Sequence, residues 1–92
     1  MMYEIIISER AFKEIGKLEK PVQERIINAL ERIRFRPEAY VTKLVGDPGY
    51  RLRAGDYRII IDIDGNRLVV LKVGHRKNIY KNLLLSFPLI FR

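Results

Sequence analysis

Two rhythms of apolar and polar positions divide this chain, a helical one in the first half and an alternating one in the second. From Tyr3 to Ile7, β-favouring residues gather around Glu4 and predict a short first strand. Ser8 follows, a residue type that caps helices by accepting hydrogen bonds from first-turn amides. Ala11, Phe12, Ile15 and Leu18 then recur at helical spacing. Lys20-Pro21 breaks that pattern, because the residue before proline avoids the α region while proline itself suits the first turn of a helix. A second helix starts there. Its predicted stripe is Val22, Ile26, Ile27, Leu30 and Ile33, its solvated surface includes Glu24, Arg25, Glu31 and Arg32, and Pro37 closes it.

Beyond Gly46-Asp47-Pro48-Gly49 the pattern alternates. Tyr50 to Ala54 reads as a strand, Gly55-Asp56 as a two-residue turn, and Tyr57 to Ile63 as a second strand. That strand places Tyr57, Ile59, Ile61 and Ile63 on its core face. Asp64-Gly65-Asn66 turns the chain once more, and Arg67 to Val73 forms a third strand ended by Gly74. The predicted fold is α+β with order β-α-α-β-β-β. Its antiparallel sheet is covered on one face by an N-terminal helical hairpin. His75 to Leu85 follows as a short helix or an extended tail.

Composition narrows what this fold carries. At 92 residues the chain is read as one domain spanning 1–92. It has no cysteine and one histidine, which excludes disulfides, thiolate metal sites and cysteine nucleophiles, and no metal or cofactor is expected. The apolar run from Leu83 to Phe91 is broken by Pro88 and falls far short of the ~20 residues of a membrane helix. Without a signal segment either, the expectation is a cytoplasmic protein that uses no membrane. The tail itself has two readings, packing against its own core or docking a partner.

Charge changes the picture most. The net is +7, and it is uneven: residues 1–50 carry nine Lys/Arg against eight Asp/Glu, whereas residues 51–92 carry nine against three. The second half therefore holds six of the seven excess charges, the footprint of a phosphate- or carboxylate-rich partner or of a surface that is simply basic and solvated. A Gly55-Asp56 turn sets Arg53 opposite Arg58 and Arg51 opposite Ile60, with the three arginines on the face away from Ile59, Ile61 and Ile63. Like charges across a ladder oppose pairing by about 0.2–1 kcal/mol, so an anion over that face would reverse the sign of the interaction. Asp62 shares the face and offers an internal neutralising partner instead. The segment Gly74-His75-Arg76-Lys77-Asn78-Ile79-Tyr80-Lys81 interleaves cations with tyrosine. That mixture suits RNA, where guanidinium grips phosphate and a ring stacks on an unpaired base.

With Lys43-Leu44-Val45-Gly46, Leu52-Arg53-Ala54-Gly55-Asp56-Tyr57-Arg58 and Gly74-His75-Arg76 followed by Tyr80, nearly the whole chain resembles the RelE/ParE toxin superfamily, on its RelE side. The resemblance implies a ribosome-dependent endoribonuclease that cuts mRNA in the A site without a metal. In that chemistry a ribose 2′-hydroxyl attacks the adjacent phosphate and leaves a cyclic phosphate and a 5′-hydroxyl. It also implies a RelB-like antitoxin partner and a toxin–antitoxin hetero-oligomer. The family's catalytic positions carry over onto Arg51, Arg58, Arg76 and Tyr80, with Arg53, His75, Lys77 and Lys81 as RNA-binding candidates. Where some relatives have lysines, this chain has Gly49 and Arg51, which leaves His75 and Tyr80 as candidate proton acceptors, with Tyr80 open equally to stacking on a base and orienting the nucleotide. Two other readings remain open at this stage, a ParE-like inhibitor of DNA gyrase and an RNA- or ribosome-binding module without chemistry.

Overall fold

The computed structural model describes residues 2–44 and 49–79. Strand β1 (Glu4–Ile7) leads into helix α1 (Glu9–Gly16) and helix α2 (Lys20–Ile33). A short 3-10 turn (Pro37–Ala39) precedes β2 (Val41–Lys43), β3 (Tyr50–Ala54), β4 (Tyr57–Asp64) and β5 (Arg67–His75). The sheet runs in the order β1-β5-β4-β3-β2, with β1 parallel to β5 and every other pair antiparallel. This is the α+β plan expected from the sequence, with β2 added as a fifth strand.

Local chemistry explains the helix starts. Ser8 has extended backbone angles, and its hydroxyl accepts from the Ala11 N–H at 3.1 Å. Pro21 occupies the first turn of α2, where its missing N–H costs nothing. The helices bury Ala11, Ile15, Ile26, Ala29, Leu30 and Ile33 against Leu52, Ala54, Ile59, Ile61, Leu68, Val70 and Val73 of the sheet. Two predicted members of the helical stripes are not in this core. Phe12 is 69% exposed and Ile27 is 42% exposed. Each follows a buried residue, Ala11 or Ile26, and adjacent helical positions point about 100° apart, so one face cannot take both.

Three boundaries also differ from the sequence reading. Helix α2 ends at Ile33, and Pro37 starts the 3-10 turn with its ring buried. Strand β5 runs on through Gly74 to His75, because Arg58 and Tyr57 pair with those two residues. A bulge lies between β4 and β5, where Ile60 pairs with Lys72 and Ile61 with Val70, leaving Leu71 without an opposite residue. That extra residue resets the alternation. Val70 and Val73, three apart, both face the helices, and Lys72 shares the opposite face with Ile60. The predicted segment from His75 to Leu85 is strand at His75 and turn at 76–78; its residues from Tyr80 onward, the apolar tail included, lie outside the described residues.

Strand β5 has nine residues and β1 only four, so the upper half of that β5 edge lacks a strand partner. Helix α1 supplies the missing hydrogen bonds. Ser8 N–H donates to the Val70 carbonyl at 3.0 Å, and the Ser8 hydroxyl donates to the Leu71 carbonyl at 3.2 Å. Glu14 Oε1 accepts from the Val73 N–H at 2.8 Å. Side chains thus replace a ladder that would otherwise end in open backbone groups. Among the described residues no helix is long and apolar enough to cross a membrane.

Candidate nucleic-acid interface

The hairpin register is the one the turn dictates. Arg53 pairs with Arg58, Arg51 with Ile60 and Ala54 with Tyr57, so three guanidinium side chains project from one face. Gly55 makes the turn possible: its φ is +62°, a region that favours glycine, and a Cβ there would lie 2.9 Å from Arg25 Nη1. The turn also holds two of the cations. Arg58 Nη1 donates to the Gly55 carbonyl at 2.8 Å and to the Tyr57 carbonyl at 3.1 Å. The Arg76 backbone N–H donates to the Asp56 carbonyl at 2.8 Å, and Arg76 Nε lies 3.6 Å from Asp56 Oδ1. Arg25, Arg58 and Arg76 therefore meet at one hairpin tip from three different elements.

Beside the tip, Tyr40, Thr42, Arg51, Arg53 and Arg58 line a cleft of about 310 Å³. Strand β2 contributes its rim, since Thr42 pairs with Arg51 and shares its face. The described residues that line it are not acidic, and Asp62, the neutralising partner the sequence offered, makes no ion pair among the described residues. A larger hollow of about 450 Å³ along α1 is different in kind. There Arg10 pairs with Glu14 at 3.4 Å and Lys13 with Glu9 at 3.2 Å, so its charges satisfy one another. An anion is favoured at the arginine cleft.

Other sequence candidates are placed elsewhere. His75 pairs with Tyr57 and its ring meets the Tyr57 ring edge-on, 5.4 Å between centroids, on the helix-facing side away from the arginines. Its Nδ1 accepts from the Lys77 N–H at 3.2 Å, and Lys77 is exposed in the turn after β5. Tyr80 and Lys81 lie outside the described residues. The described residues contain no group of three His, Asp or Glu side chains able to hold a metal ion.

Three participants escaped sequence reading. Tyr40 and Thr42 belong to a segment read as connection, and Arg25 was read as ordinary helix surface. The signals were an aromatic directly after a proline turn, and a helix residue whose place over Gly55 depends on tertiary packing. Lys72 is a further unusual cation. It is only 3% exposed, and its Nζ has no hydrogen-bond partner among the described residues. Burial, helped by the charge of Arg10 and opposed by that of Glu14, holds its pKa below the ordinary 10.5.

Residues 5–80 match the family model described as the ParE toxin of a type II toxin–antitoxin system, parDE. The chain belongs to the RelE/ParE toxin family. Among solved relatives in this family, an Arg-to-Ala double mutant of the E. coli toxin RelE in the free state is 31% identical. It superposes with a TM-score of 0.72 over 87% of this chain and 90% of that one. RelE in the RelE–RelB complex of Pyrococcus horikoshii is 28% identical, with a TM-score of 0.70 over 83% of this chain and 97% of that chain. Toxin RelE3 of Methanocaldococcus jannaschii is 48% identical over 31 residues, a match covering 34% of this chain and 35% of that relative. The two-helix, five-strand architecture is that of the RelE toxins.

Proposed function

We propose that this toxin is a ribosome-dependent endoribonuclease that cleaves mRNA in the A site and is neutralised by a RelB-like antitoxin. The observation that carries the reading is the convergence of Arg51, Arg53 and Arg58, three guanidinium groups, on one cleft at the hairpin whose tip also holds Arg76. Arginine remains protonated at neutral pH and matches phosphate oxygens bidentately. A 2′-hydroxyl that attacks the adjacent phosphorus forms a new P–O bond, and the bond to the 5′-oxygen breaks. Negative charge accumulates on the non-bridging and leaving oxygens as this happens. Preorganised cations at that point stabilise the transition state more than the bound substrate. Arg58 and Arg76 are assigned to that charge, and Arg51 and Arg53 to holding the RNA strand. Since His75 turns to the opposite face, Tyr80 is the proposed acceptor of the 2′-hydroxyl proton. The proposed antitoxin partner is supported by the Pyrococcus horikoshii relative, which was solved together with RelB.

The test is mRNA cleavage on programmed ribosomes. Wild-type protein is expected to cut within the A-site codon and leave a cyclic phosphate, with or without chelator. Arg58→Ala and Arg76→Ala are each expected to lower the single-turnover rate about 10²–10³-fold, as loss of one transition-state donor does. Full cleavage by both Arg76→Ala and Tyr80→Phe would sink the assignment. The family model's ParE description favours one other reading, inhibition of DNA gyrase. Loss of supercoiling with the message left intact would select it.

A further inference from the structure

Tyr40 is a large aromatic side chain left 47% exposed, and it borders the arginine cleft. Its position is not loose. Its N–H donates to the Pro37 carbonyl at 3.0 Å, the Pro37 ring is fully buried, and the next residue, Val41, pairs with Leu52 of β3. The backbone of Tyr40 is thus fixed on both sides at the end of a tight turn, one residue before the strand that carries Thr42 to Arg51. The cleft it borders, about 310 Å³, is at the small end of ligand-sized pockets, which run roughly 300–1,000 Å³. Cations and an aromatic ring lining one cleft present two surfaces suited to one nucleotide, a phosphate clamp and a base platform.

We infer that Tyr40 is the stacking platform for one unpaired base of the RNA whose phosphates lie on Arg51, Arg53 and Arg58, and so a residue that holds that nucleotide in place. The inference rests on the ribonuclease reading above and adds a base subsite to it. Stacking accepts any base, with purines favoured by their larger overlap. A duplex cannot use the platform, because its bases are already stacked on each other. The phenol hydroxyl is not required, since the ring face does the work.

The test compares wild type with Tyr40→Ala, Tyr40→Phe and Arg58→Ala in single-turnover cleavage on ribosomes carrying synthetic messages. Each codon position in and beside the A site is replaced in turn by an abasic nucleotide. Tyr40→Phe is expected within about twofold of wild type. Tyr40→Ala is expected to lose roughly 5- to 100-fold in kcat/KM, the range for one base–aromatic stack. At one position the abasic message should erase the difference between wild type and Tyr40→Ala, while the Arg58→Ala defect persists on that message. If Arg58→Ala is impaired but Tyr40→Ala cleaves like wild type, the platform is refuted and the nuclease reading stands. If Tyr40→Phe falls as far as Tyr40→Ala, the hydroxyl rather than the ring is responsible, and the platform is again refuted. If wild type cuts nothing on ribosomes, both readings fail together. Weaker antitoxin binding by Tyr40→Ala with unchanged cleavage would move the residue to a protein interface and overturn the inference.

Discussion

Lys72 carries a charge that the described residues leave without a hydrogen-bond acceptor. Its Nζ is buried, Arg10 adds repulsion, and among the described residues Glu14 acts to stabilise the ammonium. Burial disfavours the charged form, so the folded protein binds this proton less tightly than the unfolded chain does. Between the lowered native pKa and 10.5, the unfolded chain therefore holds more of the proton, and stability contributed by this site rises with pH. Lys72→Met keeps similar bulk and removes the charge. Chemical denaturation at neutral pH should show a gain of about 1–3 kcal/mol, the usual cost of an unsatisfied buried polar group. The gain should shrink as pH climbs through that window; a constant gain would mean that packing, not charge, is responsible. None of this is legible from sequence, where Lys72 is one cation in an apolar strand. The bulge at Leu71 decides which face Lys72 takes, and a bulge leaves no mark in the alternation. Phe12 and Ile27 teach the converse, since apolar identity at helical spacing does not tell which of two neighbours takes the core.

Among elements, the β3–β4 hairpin was readable in full because Gly55-Asp56 leaves only one pairing that keeps the isoleucines inward. That single turn settled Arg51, Arg53 and Arg58. Strand β2 was not readable: Val-Thr-Lys is too short to show a period, and its role depends on a partner strand further along the chain, Val41 pairing with Leu52 and Lys43 with Tyr50. Tyr40 and Thr42 enter the cleft only through that pairing, which is why half of its wall was missed. Helix α1 shows another long-range device, its Glu14 standing in for a strand along β5. Glu14→Ala would leave the Val73 amide without its acceptor and is expected to cost about 1–3 kcal/mol. In thermal unfolding that is roughly 4–8 °C per kcal/mol for a domain of this size. Glu14→Gln keeps a carbonyl acceptor and should recover most of the loss. The exposed pair with Arg10 contributes little to either change, ~0–1 kcal/mol.

For the whole molecule, the excess of +7 is distributed by the topology rather than by composition. The sheet gathers cations from β3, β4 and the turn after β5 at one hairpin tip, and α2 adds Arg25 from above. Such a patch should make ribosome binding strongly dependent on salt. Affinity measured against KCl concentration is expected to give a steep log–log slope, reduced by about 0.7 for each arginine of the cleft changed to alanine, the value for one single-strand phosphate. An unchanged slope in Arg51→Ala, Arg53→Ala and Arg58→Ala would place the contact elsewhere.

The parallel pairing of β1 with β5 has a consequence for how this toxin comes into being. Glu4 lies beside Arg67 and Ile7 beside Val70, so the first strand made waits for almost the last one. Such long-range closure is slow and cannot begin until the later partner exists. During synthesis β1 therefore leaves the exit tunnel with an unfilled edge, and the sheet closes only after β5 has followed it out. The arginine hairpin sits between those two strands in the chain and gains its Arg76 only beyond β5. The assembled surface therefore forms only after β5 and the turn behind it have been made, because the Arg76 N–H must reach the Asp56 carbonyl.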